Sequence, residues 1–177
     1  MARRADAARN AESLISAARE LFDERGTDVP LDDVARRAGV GNATLYRNFP
    51  TRGDLLVAVY AEEVAELCER GQALLHEPSA ADALFDWLDS FVVHVATKRA
   101  LAMAATEGGR ADLFGRWHAS MNAAASGLLL RARQEGAVRA DLDAADLLAL
   151  AGAAAMAAAD PGHAQRLLRV LRHGLQL

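Results

Sequence analysis

The segment 42–48 has residue types and spacing that could contact DNA. If it is helical, its outward face and flanks carry polar or small side chains. Small side chains at Ala43 and Thr44 let the backbone approach a groove closely. The guanidinium of Arg47 offers a fork of donors, and the hydroxyls of Thr44 and Tyr46 suit phosphates or base edges. The candidate contact residues are Asn42, Ala43, Thr44, Tyr46, Arg47 and Asn48.

Two predicted helices precede this segment. The first is predicted over 9–25, with one apolar stripe, and Gly26 follows where a left-handed cap suits glycine. The second begins near Pro30, a residue favoured in a first turn, with Asp28 as a possible cap. In that first turn, Asp32 and Asp33 complement the helix dipole.

A glycine turn, 39–41, leads into the third helix, predicted over 42–49. Leu45 and Phe49 share one face and would anchor this short helix against the first two. The polar face would then be left pointing outward.

The residues after the third helix are further candidates for DNA contact. Pro50 ends the helix, and Thr51 is predicted to cap the next one. Arg52 lies where it could reach a phosphate beside that helix N-terminus.

This ordered pattern resembles the DNA-binding domain of the tetracycline-repressor (TetR) family. The resemblance covers about 45 residues, within LISAARELFDERG (14–26), VARRAGVG (34–41) and TLYRNFPTRGDL (44–55). It implies a helix-turn-helix over 30–49 with a recognition helix over 42–49. It also implies phosphate contacts by Tyr46 and Arg52.

Three positions depart from the family pattern. Pro30 stands where many relatives have a capping Thr that touches phosphate, so that contact is not expected here. Asn48 replaces the usual His, and Arg52 replaces the commoner Lys, but neither change removes a donor. The alternative is that the three helices form a packing unit with no role in DNA binding.

Composition favours a helical protein without a secretory signal. Of the 177 residues, 52% are hydrophobic, and the net charge is −4. Residues 1–53 carry nine Arg against eight acidic residues (+1), whereas 54–177 carry eleven basic against sixteen acidic residues (−5). The single cysteine, Cys68, permits no intrachain disulfide. We therefore expect a soluble, cytoplasmic protein whose phosphate contacts lie in its first third.

The rest of the sequence predicts further helices, which brings the total for the chain to about nine. A fourth is predicted over 54–71, and a fifth has Trp87 on its apolar stripe. A short helix around Met103 is predicted between breaks at 97–100 and 107–112. The next helix is predicted over 113–135, with Phe114 facing inward. Another begins after a cap at Asp141 or Asp143 and extends to Ala159, and the final helix begins at Asp160-Pro161.

The last two predicted helices are candidates for a two-fold interface. The first of them is apolar on nearly all sides, so it must be buried, and a chain of this size offers few places. A homodimer would bury it in a four-helix bundle, the arrangement that the TetR resemblance also implies. The alternative is that both helices only complete the core of one subunit. The prediction is thus a DNA-binding domain over 9–53 and a helical effector-binding and dimerisation domain over 54–177.

The middle helices could enclose an effector pocket. An apolar cavity with a few polar groups is what such a site requires, although Trp and Met at helical spacing are more often plain core. The segment 87–101 is similar to an SbtR-like C-terminal branch of the family, and this implies no particular ligand. The candidate pocket residues are Trp87, Phe91, His94, Met103, Trp117, His118 and Met121.

No sequence pattern favours an enzyme. There is no glycine-rich phosphate loop and no His-Glu-x-x-His pair, and the five His lack metal-ligand spacing. We therefore expect no catalytic residue, cofactor, metal or membrane partner. The predicted protein is a homodimeric, ligand-responsive transcriptional regulator, most simply a repressor, on a near-palindromic operator. The alternative is a helical dimerisation or small-molecule-binding protein without specific DNA recognition.

Overall fold

The computed structural model describes residues 2–106, 110–139, 141 and 143–175, and over these residues the protein is all-α. The predicted fold class is therefore confirmed. The eight helices are α1 (Ala2–Arg25), α2 (Leu31–Arg37), α3 (Asn42–Asn48), α4 (Arg52–Leu74), α5 (Ala80–Thr106), α6 (Ala111–Gln134), α7 (Ala144–Ala157) and α8 (Pro161–Leu175).

The helices pack as two compact units. The first unit consists of Met1–Glu62 together with Ala100–Ala111, and the second of Glu63–Arg99 together with Asp112–Leu177. Helices α4 and α5 therefore contribute residues to both. In the part of the chain that the structure describes, no helix is long and apolar enough to cross a membrane.

Helix ends follow the local sequence in most places. Gly26 ends α1 with φ of +84°, the left-handed conformation that glycine adopts without a Cβ penalty. The predicted cap of α2 at Asp28 is wrong. The N-cap position is Pro30, and no side chain bonds to the first turn there. Pro30, with φ of −58°, directly precedes Leu31, the first residue of α2.

Two later helices begin with carboxylate caps. Asp143 caps α7 in a reciprocal capping box with Asp146, so the second of the two predicted residues is the cap. Asp141 instead forms an ion pair with Arg139, whose hydrogen bonds lower the pKa of the Asp141 carboxyl. Asp160 accepts the amide of His163 at 2.7 Å at the start of α8.

The predicted break near 97–100 is wrong, because α5 continues from Ala80 to Thr106. The hydroxyl of Thr97 donates to the carbonyl of Val93 at 2.8 Å, so this polar group is paired within the helix. Lys98 pairs with Glu63 of α4 at 3.1 Å. The predicted helix around Met103 is thus the end of α5, which accounts for eight described helices where about nine were expected.

The second unit has a core built around Trp87. Its indole N–H donates to the carbonyl of Leu67 at 2.9 Å, so the buried ring leaves no polar group unpaired. A Cβ at Gly71 would lie only 3.0 Å from the Trp87 nitrogen and 3.1 Å from Ala124, so glycine allows α4, α5 and α6 to approach closely. The prediction that Phe114 faces inward is wrong. Its side chain is 42% exposed, and its ring lies against His118.

Candidate nucleic-acid interface

Helix α3 is held by its apolar side against the rest of the first unit. Leu45 is fully buried and Phe49, which follows the helix, is almost so. The turn from α2 contains Gly39 with φ of +69°, a conformation that favours glycine. The predicted anchoring of this seven-residue helix by Leu45 and Phe49 agrees with its packing.

The opposite side of α3 lies at the surface. Ala43 and Arg47 are exposed, and the Tyr46 side chain is 48% exposed although it is large and partly apolar. Asn42 is exposed as well, whereas Thr44 and Asn48 are half-buried. Six of the eight side chains predicted to contact DNA therefore lie on one short helix, and none of these six is fully buried.

Hydrogen bonds along α3 hold its longer polar side chains. Arg47 donates from Nε to the Ala43 carbonyl at 3.0 Å and from Nη2 to the Thr44 hydroxyl at 3.1 Å. Asn48 donates from Nδ2 to the Thr44 carbonyl at 2.8 Å. The guanidinium of Arg47 is thus laid along the exposed face with its position partly fixed.

One contact to α3 was not foreseen from the sequence. Asn42, the first residue of α3, donates from Nδ2 to Oδ1 of Asp32 at 2.9 Å. Asp32 lies in the first turn of α2, where the sequence indicates only that it complements the helix dipole.

The neighbouring residue Asp33 has a different environment. Some burial there raises its pKa, but hydrogen bonds from Arg25 and Arg36 outweigh that effect and lower it.

The start of α4 is a capping box between Thr51 and Asp54. The Thr51 hydroxyl accepts the Asp54 amide at 3.2 Å, and Asp54 Oδ2 accepts the Thr51 amide at 2.9 Å. The predicted cap at Thr51 is confirmed. Hydrogen bonds from Thr51 lower the pKa of the Asp54 carboxyl.

Arg52 has a structural role that the sequence did not indicate. Its Nη1 donates to the carbonyls of Thr27 at 2.8 Å and Val29 at 2.7 Å, in the loop between α1 and α2. The side chain is half-buried. Arg52 therefore ties the start of α4 to the loop that precedes α2.

Arg110 also binds the first turn of α4. Its Nη2 donates to Oδ1 of Asp54 at 2.7 Å. The guanidinium lies so close to Gly53 that a Cβ there would overlap Nη1. Nothing in the sequence pattern predicted this contact, since 56 residues separate the two partners.

The candidate effector residues have different surroundings. Trp87, Phe91, Trp117 and Met121 are buried, with Trp87 and Phe91 stacked at 5.7 Å between ring centroids. Met103 and His118 are exposed. His94 is buried and borders an open groove of about 240 Å³ between α4 and α5, which Glu63 and Lys98 also line. Among the described residues no cluster of His, Cys, Asp or Glu could hold a metal ion.

Two family models match the chain and together cover most of it. Residues 14–59 match the bacterial regulatory proteins of the tetR family. Residues 79–177 match the SbtR-like transcriptional regulator C-terminal domain. The chain belongs to the TetR family. It is a DNA-binding transcriptional regulator.

Solved structures of TetR-family regulators are similar over nearly the whole chain. One is a TetR transcriptional regulator from Streptomyces coelicolor, with 35% identity, a TM-score of 0.80, and coverage of 94% of this chain and 98% of that one. Another, from Mycobacterium vanbaalenii, has 34% identity, a TM-score of 0.79, and coverage of 98% and 99%. No curated protein matches the chain in sequence.

A more distant neighbour shares only the fold. It is a transcriptional regulator from Saccharomonospora viridis in complex with choline, with 19% identity and a TM-score of 0.73. That likeness covers 94% of this chain and 97% of the neighbour.

Proposed function

We propose that this TetR-family regulator inserts α3 into the major groove of its operator. The observation that carries the proposal is the two-sided character of α3, with Leu45 and Phe49 buried and the polar side chains at the surface. An exposed polar face on a short, anchored helix suits contact with base edges. The proposed contact residues are Asn42, Ala43, Thr44, Tyr46, Arg47, Asn48, Thr51 and Arg52.

The operator would be near-palindromic and bound by a homodimer. Two copies of α3 related by a two-fold axis would enter successive major grooves, about 34 Å apart. Exposed apolar side chains on α7 and α8, among them Leu150 and Val170, support a bundle of these helices with the same pair from a second subunit. Within this dimer, the DNA-binding domain covers 9–53 and the effector-binding and dimerisation domain covers 54–177.

The regulator would act as a ligand-responsive repressor. A small molecule of partly apolar character would bind among the middle helices near Trp87, Phe91, His94, Met103, Trp117, His118 and Met121. The choline complex of a neighbour with the same fold supports a small-molecule site in such a protein. An effector would release DNA only if it bound the non-binding conformation more tightly. The protein would work in the cytoplasm, without catalytic activity.

The decisive test is Arg47→Ala. We expect loss of specific operator binding with helicity and assembly unchanged, because Arg47 is exposed and its hydrogen bonds stay within α3. A lost bidentate base contact costs about 1–3 kcal/mol, or about 5- to 150-fold in affinity. The operator is first selected from a random DNA pool, and affinities are then measured by fluorescence anisotropy.

Arg116→Ala is the matched control for this test. Arg116 is an exposed arginine of α6 that pairs with Asp112 at 2.9 Å, far along the chain from α3. It should leave operator affinity unchanged. Equal affinities of Arg47→Ala and the unaltered protein would reject the assigned contact face. Failure of the unaltered protein to select any DNA sequence would favour the alternative without specific DNA recognition.

A further inference from the structure

Asp32 stands outside the proposed contact face, yet it binds the first residue of α3. The Asn42 amide nitrogen donates to Oδ1 of Asp32 at 2.9 Å, and both side chains are exposed. Asp32 lies in the first turn of α2 and Asn42 is the first residue of α3, so the bond joins the two helices of the helix-turn-helix. It therefore fixes a side chain of the recognition helix from a different element.

The chemistry of the pair sets which end of the amide faces Asp32. A carboxylate offers only acceptors, whereas an Asn amide has a nitrogen with two hydrogens and an oxygen that accepts. The nitrogen must therefore face Asp32, and the amide cannot turn end for end without losing the bond. One N–H of Asn42 is used by Asp32, which leaves the second N–H and Oδ1 available.

The groups left available match one base. A paired N–H donor and carbonyl acceptor can bind adenine through its N7 acceptor and N6 amine. Guanine offers acceptors at both N7 and O6, so Oδ1 of Asn42 would face an acceptor. An amide free to rotate could present its nitrogen to guanine O6, but the Asp32 bond opposes that rotation.

We propose that Asp32 is a specificity-determining residue that orients Asn42 to select adenine over guanine at one position of each operator half-site. The inference rests on the proposed function of α3 in DNA contact and adds to it the base and a positioning residue. Asp32 itself touches no base in this scheme. Its negative charge near DNA phosphates works against general affinity.

The proposal therefore predicts two opposite effects for Asp32→Ala. Affinity for DNA in general should stay the same or rise, since a like charge is removed. Discrimination between adenine and guanine at the Asn42 position should fall from about 5- to 150-fold to about threefold or less. A residue needed only for folding would weaken binding to every sequence alike and would not change one base preference.

The experiment measures affinities for the selected operator and for every single-base variant of it. The proteins compared are the unaltered chain, Asp32→Ala, Asp32→Asn, Asn42→Ala and the double variant Asp32→Ala with Asn42→Ala. Asp28→Asn, which removes one exposed charge of the same unit, is the matched control and should keep every base preference. Circular dichroism checks that helicity is retained.

We expect Asp32→Ala and Asn42→Ala to lose discrimination at the same base pair, and the double variant to lose no more than Asn42→Ala alone. Asp32→Asn should also lose it, because a carboxamide can accept or donate and no longer fixes the Asn42 amide. Full discrimination by Asp32→Ala would overturn the inference. So would a loss at a different base pair, which would mean that Asp32 contacts a base itself. An unaltered chain that selects no DNA would reject the proposed function, and this inference with it.

Discussion

The packing of the second unit strongly lowers the pKa of one side chain, His94. The imidazole is buried beside the groove between α4 and α5, and that burial, with the nearby charge of Lys98, lowers its pKa from 6.5 to about 4. Glu63 and Glu66 also line the groove. At neutral pH the folded protein therefore holds His94 uncharged.

This shift predicts a loss of stability in mild acid. Protonation of His94 favours the unfolded chain, because the imidazole has the higher pKa there. The stabilisation of the folded protein that depends on an uncharged His94 is complete above pH 6.5, and it is lost as the pH falls towards about 4. Between pH 7.5 and pH 5 the loss should be about 2 kcal/mol of unfolding free energy. Urea denaturation at both pH values measures it.

The control for this prediction is His94→Gln, which keeps a polar side chain and removes the titration. The carboxyl groups of the chain also contribute to pH dependence, and the variant retains them. Its loss of stability between the two pH values should be smaller by about 2 kcal/mol. Identical pH dependence in both proteins would show that the burial of His94 does not affect its titration.

The buried and exposed faces of α3 were predictable from the sequence, because residue spacing alone determines them. The alternation of Leu45 and Phe49 with polar residues sufficed to place one face of α3 inward and the other outward. Asp32 and Arg110 could not be found in this way, since each bonds to a residue of another element. Such bonds depend on how helices pack, which no local pattern encodes.

At the scale of elements, one pair on α6 stabilises the turn between α4 and α5. Arg131 donates to the carbonyl of Leu74, the last residue of α4, at 3.4 Å, and to the turn carbonyls of Leu75 at 2.8 Å and of Glu77. Its salt-bridge partner Glu135, at 3.2 Å, accepts the amide of Ala80 at the start of α5. The positive charge of Arg131 therefore lies at the C-terminus of α4, and the negative charge of Glu135 lies at the N-terminus of α5. The helix dipoles favour both placements.

Arg131→Ala should therefore destabilise the protein by about 1–3 kcal/mol, because half-buried carbonyls lose charge-assisted hydrogen bonds. Urea denaturation at pH 7.5 checks this value. Arg116→Ala is matched to it, since Arg116 also lies on α6 and pairs with an acidic residue four positions away. That exposed pair should contribute less than about 0.5 kcal/mol. Equal effects of the two substitutions would contradict a specific role for the turn contacts.

Among the helices, α5 was predicted least well from the sequence, because its length was underestimated. Thr97, Lys98 and Arg99 looked like a break because they are polar and interrupt an apolar stripe. In the structure, the Thr97 hydroxyl bonds to the Val93 carbonyl within α5 and Lys98 pairs with Glu63, so these polar side chains do not end the helix. Helices with clear caps, such as α7 behind Asp143, were predicted closely because the cap lies within the local sequence.

At the scale of the whole molecule, the exposed apolar surface of α7 and α8 predicts self-association. Leu150 is 44% exposed and Val170 is 72% exposed, although both are apolar. Burying such residues contributes about 25 cal/mol for each Å² of apolar surface. A two-fold pairing of these helices would cover the same patch on both subunits.

Replacing Leu150 and Val170 together by Glu should convert the proposed dimer to a monomer, since four buried charges would face each other across the axis. Sedimentation velocity at micromolar concentration measures the change, and operator affinity should fall with it. Leu130→Glu serves as the control, because Leu130 is 56% exposed on α6, outside the proposed interface. A dimeric double variant, or a monomeric Leu130→Glu, would place the interface elsewhere.

The composition of the first unit has a consequence for domain exchange. Its residues come from two stretches of sequence, Met1–Glu62 and Ala100–Ala111, and Arg110 of the second stretch binds Asp54 of the first. A chimaera that grafted only residues 9–53 onto a relative would leave behind both Asp54 and Arg110, together with the buried Leu101 and Ala105. Transplanting this DNA-binding head intact requires carrying two pieces of the chain that lie far apart in the gene.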